Sequence, residues 1–267
     1  MNRNVIPIVL AAALLSVPAP PSPGDTRALA PPGRLVDLTH AFDADTIYWP
    51  TAGGFVLEPV AHGVTDKGFF YAANRFCAAE HGGTHLDAPI HFFDGRKTAD
   101  QIPVEQLIGT GVRIDVSARC AQNRDYRVAV EDFTAWERQH GRLPSGSIVL
   151  LQTGWAARWK DRAAYLGTAR TGPEAVAELH FPGLHPDAAR WLVRERTIKA
   201  IGLDTPSIDY GQSTLFESHV ILFEANTPAF ENVASLDGLP VQGFVVAALP
   251  MKIRGGSGGP LRIVAWW

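Results

Sequence analysis

From residue 33 onward, short apolar runs separated by turn residues dominate the chain, with helical spacing in only a few stretches. Residues 34–40 (RLVDLTH) alternate apolar and polar side chains, the period of a half-buried strand. Runs at 111–117 (GVRIDVS), 146–154 (GSIVLLQTG), 198–204 (IKAIGLD), 218–225 (SHVILFEA) and 243–249 (GFVVAAL) predict further strands. A helix is predicted over 131–141, where Phe133 and Trp136 share a face and Gly141 is a natural stop. A second is predicted over 185–196, with Pro186 in the first turn and an apolar stripe of Ala188, Trp191 and Leu192. Its Arg194 and Arg196 lie at the end where the helix dipole favours cations. The C-terminal stretch 254–267 (RGGSGGPLRIVAWW) predicts a flexible Gly-rich loop and a last strand. That loop lacks the Lys-Ser/Thr ending of a phosphate cradle and no helix follows it. With no internal repeat, the pattern describes one mixed α/β domain with a β-rich core over residues 31–267.

The first thirty residues depart from this pattern. Thirteen apolar or uncharged residues, Val5 to Val17, follow Arg3, and a Pro-rich stretch follows them. The run is too short to span a bilayer but suits the core of an export signal. Cleavage after Ala19 or after Ala30 fits the small residues there. Residues 1–30 are therefore expected to be a signal and linker, and the mature protein to be periplasmic or secreted, with no membrane attachment.

Composition narrows the partners. The chain has 267 residues, 46% hydrophobic and 19% charged, with a net charge of −3 and no basic stripe. Room for one core is ample, and nucleic acid is not an expected partner. Cys77 and Cys120, the only cysteines, do not make a disulfide framework and are expected to be free or buried thiols.

The chemistry concentrates in residues 81–95, HGGTHLDAPIHFFDG. His81 and His85 are four apart, as on a zinc-binding helix, but Gly82, Gly83 and Pro89 argue against a helix. Read as a strand, His81, His85, Asp87 and His91 fall on one face and Leu86, Ala88, Ile90 and Phe92 on the other. A straight strand would hold His81 and Asp87 about 20 Å apart at about 3.3 Å per residue. No single ion with bonds of about 2 Å reaches both. If these side chains share a site, the chain must fold back at Gly82-Gly83, where glycines permit the turn. His85 and Asp87 alone can converge on one ion or flank two. His40, His62, His140, His180 and His185 carry no such pattern and read as ordinary surface or core histidines.

At these positions the sequence resembles the metal-dependent cyclase-like hydrolase family, which includes bacterial kynurenine formamidases and isatin hydrolases. The match is to the signature His-x-Gly-Thr-His-x-Asp-x-Pro-x-His, met at His81, Gly83, Thr84, His85, Asp87, Pro89 and His91. It continues through TIYWP (46–50), FPGLHPDAARWL (181–192), GLDTPSID (202–209) and 218–240. The resemblance implies a β-barrel-like mixed sheet flanked by helices, of the swivelling β/β/α type, in a homo-oligomer (dimer or tetramer). It implies metal ligation by His81, His85 and Asp87, completed by His219 and by Glu231 twelve residues on. By the same comparison His91 is the general acid/base and Trp49 lines the substrate pocket.

The implied activity is hydrolysis of a carbon–nitrogen amide bond in a small molecule by metal-activated water. Zinc (one or two ions) is the favoured metal and manganese the alternative. An aryl formamide such as N-formylkynurenine is the favoured substrate, and a cyclic amide such as isatin the runner-up. Tyr48, Trp49, Phe69, Phe70 and Tyr71 would suit a flat aromatic ligand. Two features depart from the formamidases: the export signal, and Phe216-Glu217-Ser218 where another histidine often stands. Two other functions use the same residues: a non-catalytic exported metal-binding protein, which has no need of His91, and a metal-dependent lyase or cyclising enzyme.

Overall fold

A computed structural model describes residues 33–267; the stretch read as an export signal lies outside the described residues. Elements are numbered in chain order. Strand β7 (Ile148–Gln152) is buried along its whole length. Its Ile148 and Leu150 face one apolar cluster, and Val149 and Leu151 face another. A strand covered on both faces needs no polar side, which is why IVLL reads as a continuous apolar run.

Around β7 the sheet closes on itself. β7 pairs in parallel with β5 (Ile108–Asp115) and β9 (Ala200–Leu203), and β9 pairs in parallel with β10 (Ala229–Glu231). Antiparallel pairings join β10 to β4 (His85–Asp87), β5 to β11 (Gln242–Pro250), and β11 to β12 (Gly258–Trp266). The start of β12 then pairs with β4, Gly258–Pro260 opposite Asp87–His85, and completes a seven-stranded mixed barrel. β1 (Leu35–Asp37) adds to the far end of β12. This is the single α/β domain with a barrel core that the family resemblance implies.

Leu86, Ile148, Leu150, Ala200, Phe230, Val246 and Ile263 fill the barrel. A second core lies outside it. There Phe133 and Trp136 of α3 (Val130–His140), Ala188 of α5 (Pro186–Trp191) and Leu222 and Phe223 of α6 (Glu217–Glu224) cover Val112, Val149, Leu151, Ile201 and Leu203. α5 runs on into a π-helical turn, Leu192–Arg196. Short pieces complete the shell: α1 (Val104–Leu107), α2 (Ser117–Gln122), α4 (Arg162–Leu166) and the two-residue pair β6 (Arg127–Val128) with β8 (Gly183–Leu184). No helix among the described residues is long and apolar enough to cross a membrane. Cys120 is buried in α2 and Cys77 is exposed, and both thiols are free.

Four local expectations change. Residues 218–225 form helix α6, not a strand. The run VILF fits either period, and long-range contacts decide: the Asp209 carboxylate accepts the backbone N–H groups of Ser218 and His219, both at 3.1 Å, at the helix start. The resulting buried set of Ser218, His219, Leu222 and Phe223 is a helical face. The His-rich stretch is extended only over β4, and Pro89–His91 turns away as a 3-10 turn, so His91 leaves the strand. The Gly-rich loop is tied down: Ala88 N–H donates to the Ser257 carbonyl at 2.8 Å and Ala99 N–H to that of Gly256 at 2.9 Å. Finally, Phe70 and Tyr71 sit on an exposed hairpin of β2 (Val56–Val64) and β3 (Phe70–Cys77), with Phe69 in the turn between the strands, and none of the three lines the cavity described below.

Candidate metal centre

Period-2 alternation along β4 buries Leu86 in the barrel and turns His85 and Asp87 outward, beneath α6. In the antiparallel register Glu231 of β10 lies directly opposite His85. One turn into α6, His219 comes down from above. His81 returns to the group because the chain folds back at Gly82 and Gly83, with φ of 157° and 59°. Only glycine fits Gly83: a Cβ there would stand 2.5 Å from the Phe42 ring.

The five side chains converge. His81 Nδ1 lies 2.6 Å from Asp87 Oδ1, and His85 Nε2 lies 3.1 Å from the same oxygen. His219 Nε2 lies 3.3 Å from Asp87 Oδ2 and 3.1 Å from Glu231 Oε1. The ligand atoms form two triads, His81–His85–Asp87 and Asp87–His219–Glu231, each within 4.8 Å and sharing Asp87. Everything but His81 is buried.

Each histidine has its outer nitrogen engaged and turns its inner nitrogen to the centre, where that of His81 meets Asp87 and that of His219 meets Glu231. His85 Nδ1 donates to the Gly83 carbonyl at 2.9 Å, His219 Nδ1 to Asp209 Oδ2 at 2.6 Å, and His81 Nε2 to Ser257 Oγ at 2.8 Å. Such outer partners fix tautomer and ring orientation in metal sites. His85 Nε2 is a buried nitrogen with no hydrogen bond; Asp87 is close but poorly aligned. A buried lone pair left this way is costly, and a cation between the triads satisfies it. Three imidazole nitrogens and two carboxylates fit a divalent cation of the zinc or manganese kind.

Electrostatics agree. Burial alone would raise the Asp87 pKa, but the charge of His81 and the close approach of the His219, His81 and His85 ring nitrogens hold it well below the usual carboxylate range. Burial, with the charge of Asp87, pushes Glu231 upward. Burial would depress His85, yet its contact with Asp87 and the charges of Asp87 and Glu231 carry it up to about 9. The pocket is a sink for positive charge.

His91 stands apart from this set. Its ring stacks on His81 at 3.7 Å and lies 6.4 Å from His219, centroid to centroid. Burial, with the charges of His81, His219 and His85, outweighs the pull of Asp87 and takes it down to about 4, so it is a neutral base at physiological pH. All six of these residues line one cavity of about 290 Å³, walled by Trp49, Phe92 and Phe216. Trp49 and Phe216 meet at 6.4 Å, and Phe92 and Phe216 at 5.0 Å. Sequence reasoning missed Phe92, Phe216 and the outer partners Asp209 and Ser257. All four lie in stretches already noted, Phe92 in 81–95, Asp209 in 202–209, Phe216 beside Glu217 and Ser218, and Ser257 in 254–267, but nothing in those stretches marked them as cavity wall or histidine partners.

Residues 36–210 match the family described as "Putative cyclase". The chain belongs to this cyclase family. It is 34% identical to the isatin hydrolase of Roseibium aggregatum over 206 residues, 74% of this chain and 76% of that one. With the kynurenine formamidase of Bacillus cereus (strain ATCC 10987 / NRS 248) it is 27% identical over 229 residues, covering 86% and 95% of the two chains. The crystal structure of an isatin hydrolase bound to the product analogue thioisatinate superposes with a TM-score of 0.77, at 30% identity over 87% of this chain and 92% of that one. As a cyclase-family member with these relatives, the protein is a metal-dependent amidohydrolase acting on a small molecule.

Proposed function

We propose that the protein hydrolyses a neutral cyclic aryl amide of the isatin type, in preference to the aryl formamide that the sequence favours. The observation that carries this reading is the cavity wall: Trp49, Phe92 and Phe216 offer flat apolar surface, and no Lys or Arg is among the residues lining it. An amino-acid substrate such as N-formylkynurenine would bring its own carboxylate beside Asp87 and Glu231 with no cationic side chain to receive it. A neutral bicyclic amide has no such cost, and the isatin hydrolase relative supports the choice.

In this reading His81, His85, Asp87, His219 and Glu231 would hold the metal, zinc first and manganese second. A bound divalent ion would supply a Lewis acid that polarises the amide carbonyl and makes water nucleophilic near neutral pH. His91 takes the proton of the water that adds to the carbonyl carbon. The carbon–nitrogen bond then breaks, and His91 returns the proton to the departing nitrogen. The ring opens to an aryl amine carrying the new carboxylate. Trp49 and Phe216 hold the aromatic ring so that the amide faces Asp87 and His91.

A homo-oligomer is supported by the β2–β3 hairpin. An isolated two-stranded sheet is marginal alone, and its Leu57, Val60, Phe70, Tyr71 and Phe76 are each more than half exposed. Export rests on the apolar run Val5 to Val17.

The test is a substrate panel of isatin, N-formylkynurenine, formanilide and lactones, with zinc and manganese supplied separately. Isatin is expected to give the highest kcat/KM, at least about tenfold above N-formylkynurenine, a difference of about 1.4 kcal/mol. The reverse order would transfer the assignment to the formamidases. No product with either metal would favour the binding protein.

A further inference from the structure

The Gly-rich loop Arg254-Gly-Gly-Ser-Gly-Gly259 lacks the motif of a phosphate cradle, yet it is held at many points. Gly255 N–H donates to Asp100 Oδ1 at 2.9 Å, and the Gly256 and Ser257 carbonyls accept from Ala99 and Ala88. At its centre Ser257 is joined twice to Glu80: its N–H donates to Glu80 Oε2 at 2.9 Å and its hydroxyl to the same oxygen at 2.6 Å. With its proton given to Glu80, the Ser257 oxygen can only accept from His81 Nε2, 2.8 Å away.

We infer that Ser257 and Glu80 are positioning residues that fix His81 with Nδ1 toward Asp87 and, through ring stacking, set the orientation of His91. The inference rests on the reading of His81 as a ligand. His81 differs from its neighbours: it presents Nδ1 where His85 and His219 present Nε2. It is also the least buried of the three, and backbone does not hold it as Gly83 holds His85. Without an acceptor at Nε2, a half-turn of the ring about its Cβ–Cγ bond would swap the faces it offers. His91 makes no side-chain hydrogen bond among the described residues, and its ring lies within 14° of parallel to His81. An error in His81 is therefore passed to the proton-transfer residue.

The flanking glycines serve the same contact. A Cβ on Gly258 would stand 2.6 Å from His81 Cε1 and 2.5 Å from the Leu86 carbonyl oxygen, and one on Gly256 would stand 2.8 Å from Glu80 Oε1. Gly-Ser-Gly is thus the shape that lets a serine reach the histidine while the backbone passes beside it.

The test compares the full chain with Ser257→Ala, Glu80→Ala and Ser257→Thr. Zinc affinity is measured by chelator competition, and the His81 Nε2–H proton is followed by NMR in the zinc-loaded, 15N-histidine-labelled protein. Ser257→Ala and Glu80→Ala are expected to weaken zinc by about 10–100-fold, the range for outer partners of metal ligands, and to lose the protected Nε2–H signal. Ser257→Thr, which keeps the hydroxyl, retains both. Wild-type affinity and an unchanged Nε2–H signal in Ser257→Ala would overturn the inference and leave the functional reading standing. A wild-type protein that takes up no zinc or manganese would overturn both.

Discussion

Asp87→Asn removes both the bound metal and about three orders of magnitude of turnover, while the barrel still folds. The carboxylate is the one group shared by both triads: Oδ1 faces His81 and His85, and Oδ2 faces His219. An amide of the same shape keeps one acceptor and replaces the other with an N–H donor. That donor must point at a histidine nitrogen meant for the metal, whichever way the amide is turned. The negative charge that carries His85 up to about 9 is lost at the same time. A loss of about 10³-fold corresponds to about 4 kcal/mol of transition-state stabilisation, a reasonable share for metal-supplied charge compensation. The fold is spared because β4 is held by backbone pairing on both edges and by Leu86 in the barrel. Metal content by elemental analysis, isatin turnover and thermal unfolding separate these effects. Full metal content with a near wild-type rate would remove Asp87 from the centre.

His91→Ala has the opposite signature: metal content stays at the wild-type level and kcat falls by about 10²–10⁴-fold, the contribution of a positioned acid/base. The residue sits on a separate 3-10 turn whose start is set by Pro89, and its backbone N–H donates to the Ala88 carbonyl at 2.9 Å. Neither contact needs the imidazole. Its ring contacts are stacking on His81 and edge contacts with Phe92 and His219, none of them a hydrogen bond, so truncation leaves the five side chains around Asp87 in place. This split distinguishes an enzyme from a metal-binding protein, which would have no use for a neutral imidazole on the cavity wall. A variant that hydrolyses isatin as fast as wild type would end the acid/base assignment.

How far the sequence carries depends on how local each determinant is. β7 and the fold-back at Gly82-Gly83 were legible because a buried run and a glycine pair act within a few residues. His85 and Asp87 were legible as a pair from strand alternation alone. The His219-to-Glu231 spacing has no period of its own, since it crosses a helix, a turn and a strand; the family resemblance supplied it. α6 was misread because its apolar run fits either period and the contact that decides, Asp209 with Ser218 and His219, is made across the fold. Ser257 lies 176 residues from His81 and meets it only because β12 closes the barrel onto β4. Barrel closure is a property of the whole chain, and no window of sequence contains it.

The central claim is that amide hydrolysis requires a divalent ion held by the side chains around Asp87. Stripping the purified protein with a chelator, measuring residual metal, and assaying isatin hydrolysis before and after returning zinc or manganese tests it most directly. Activity should fall in step with metal content and return on reconstitution. A fully active metal-free protein would contradict the account.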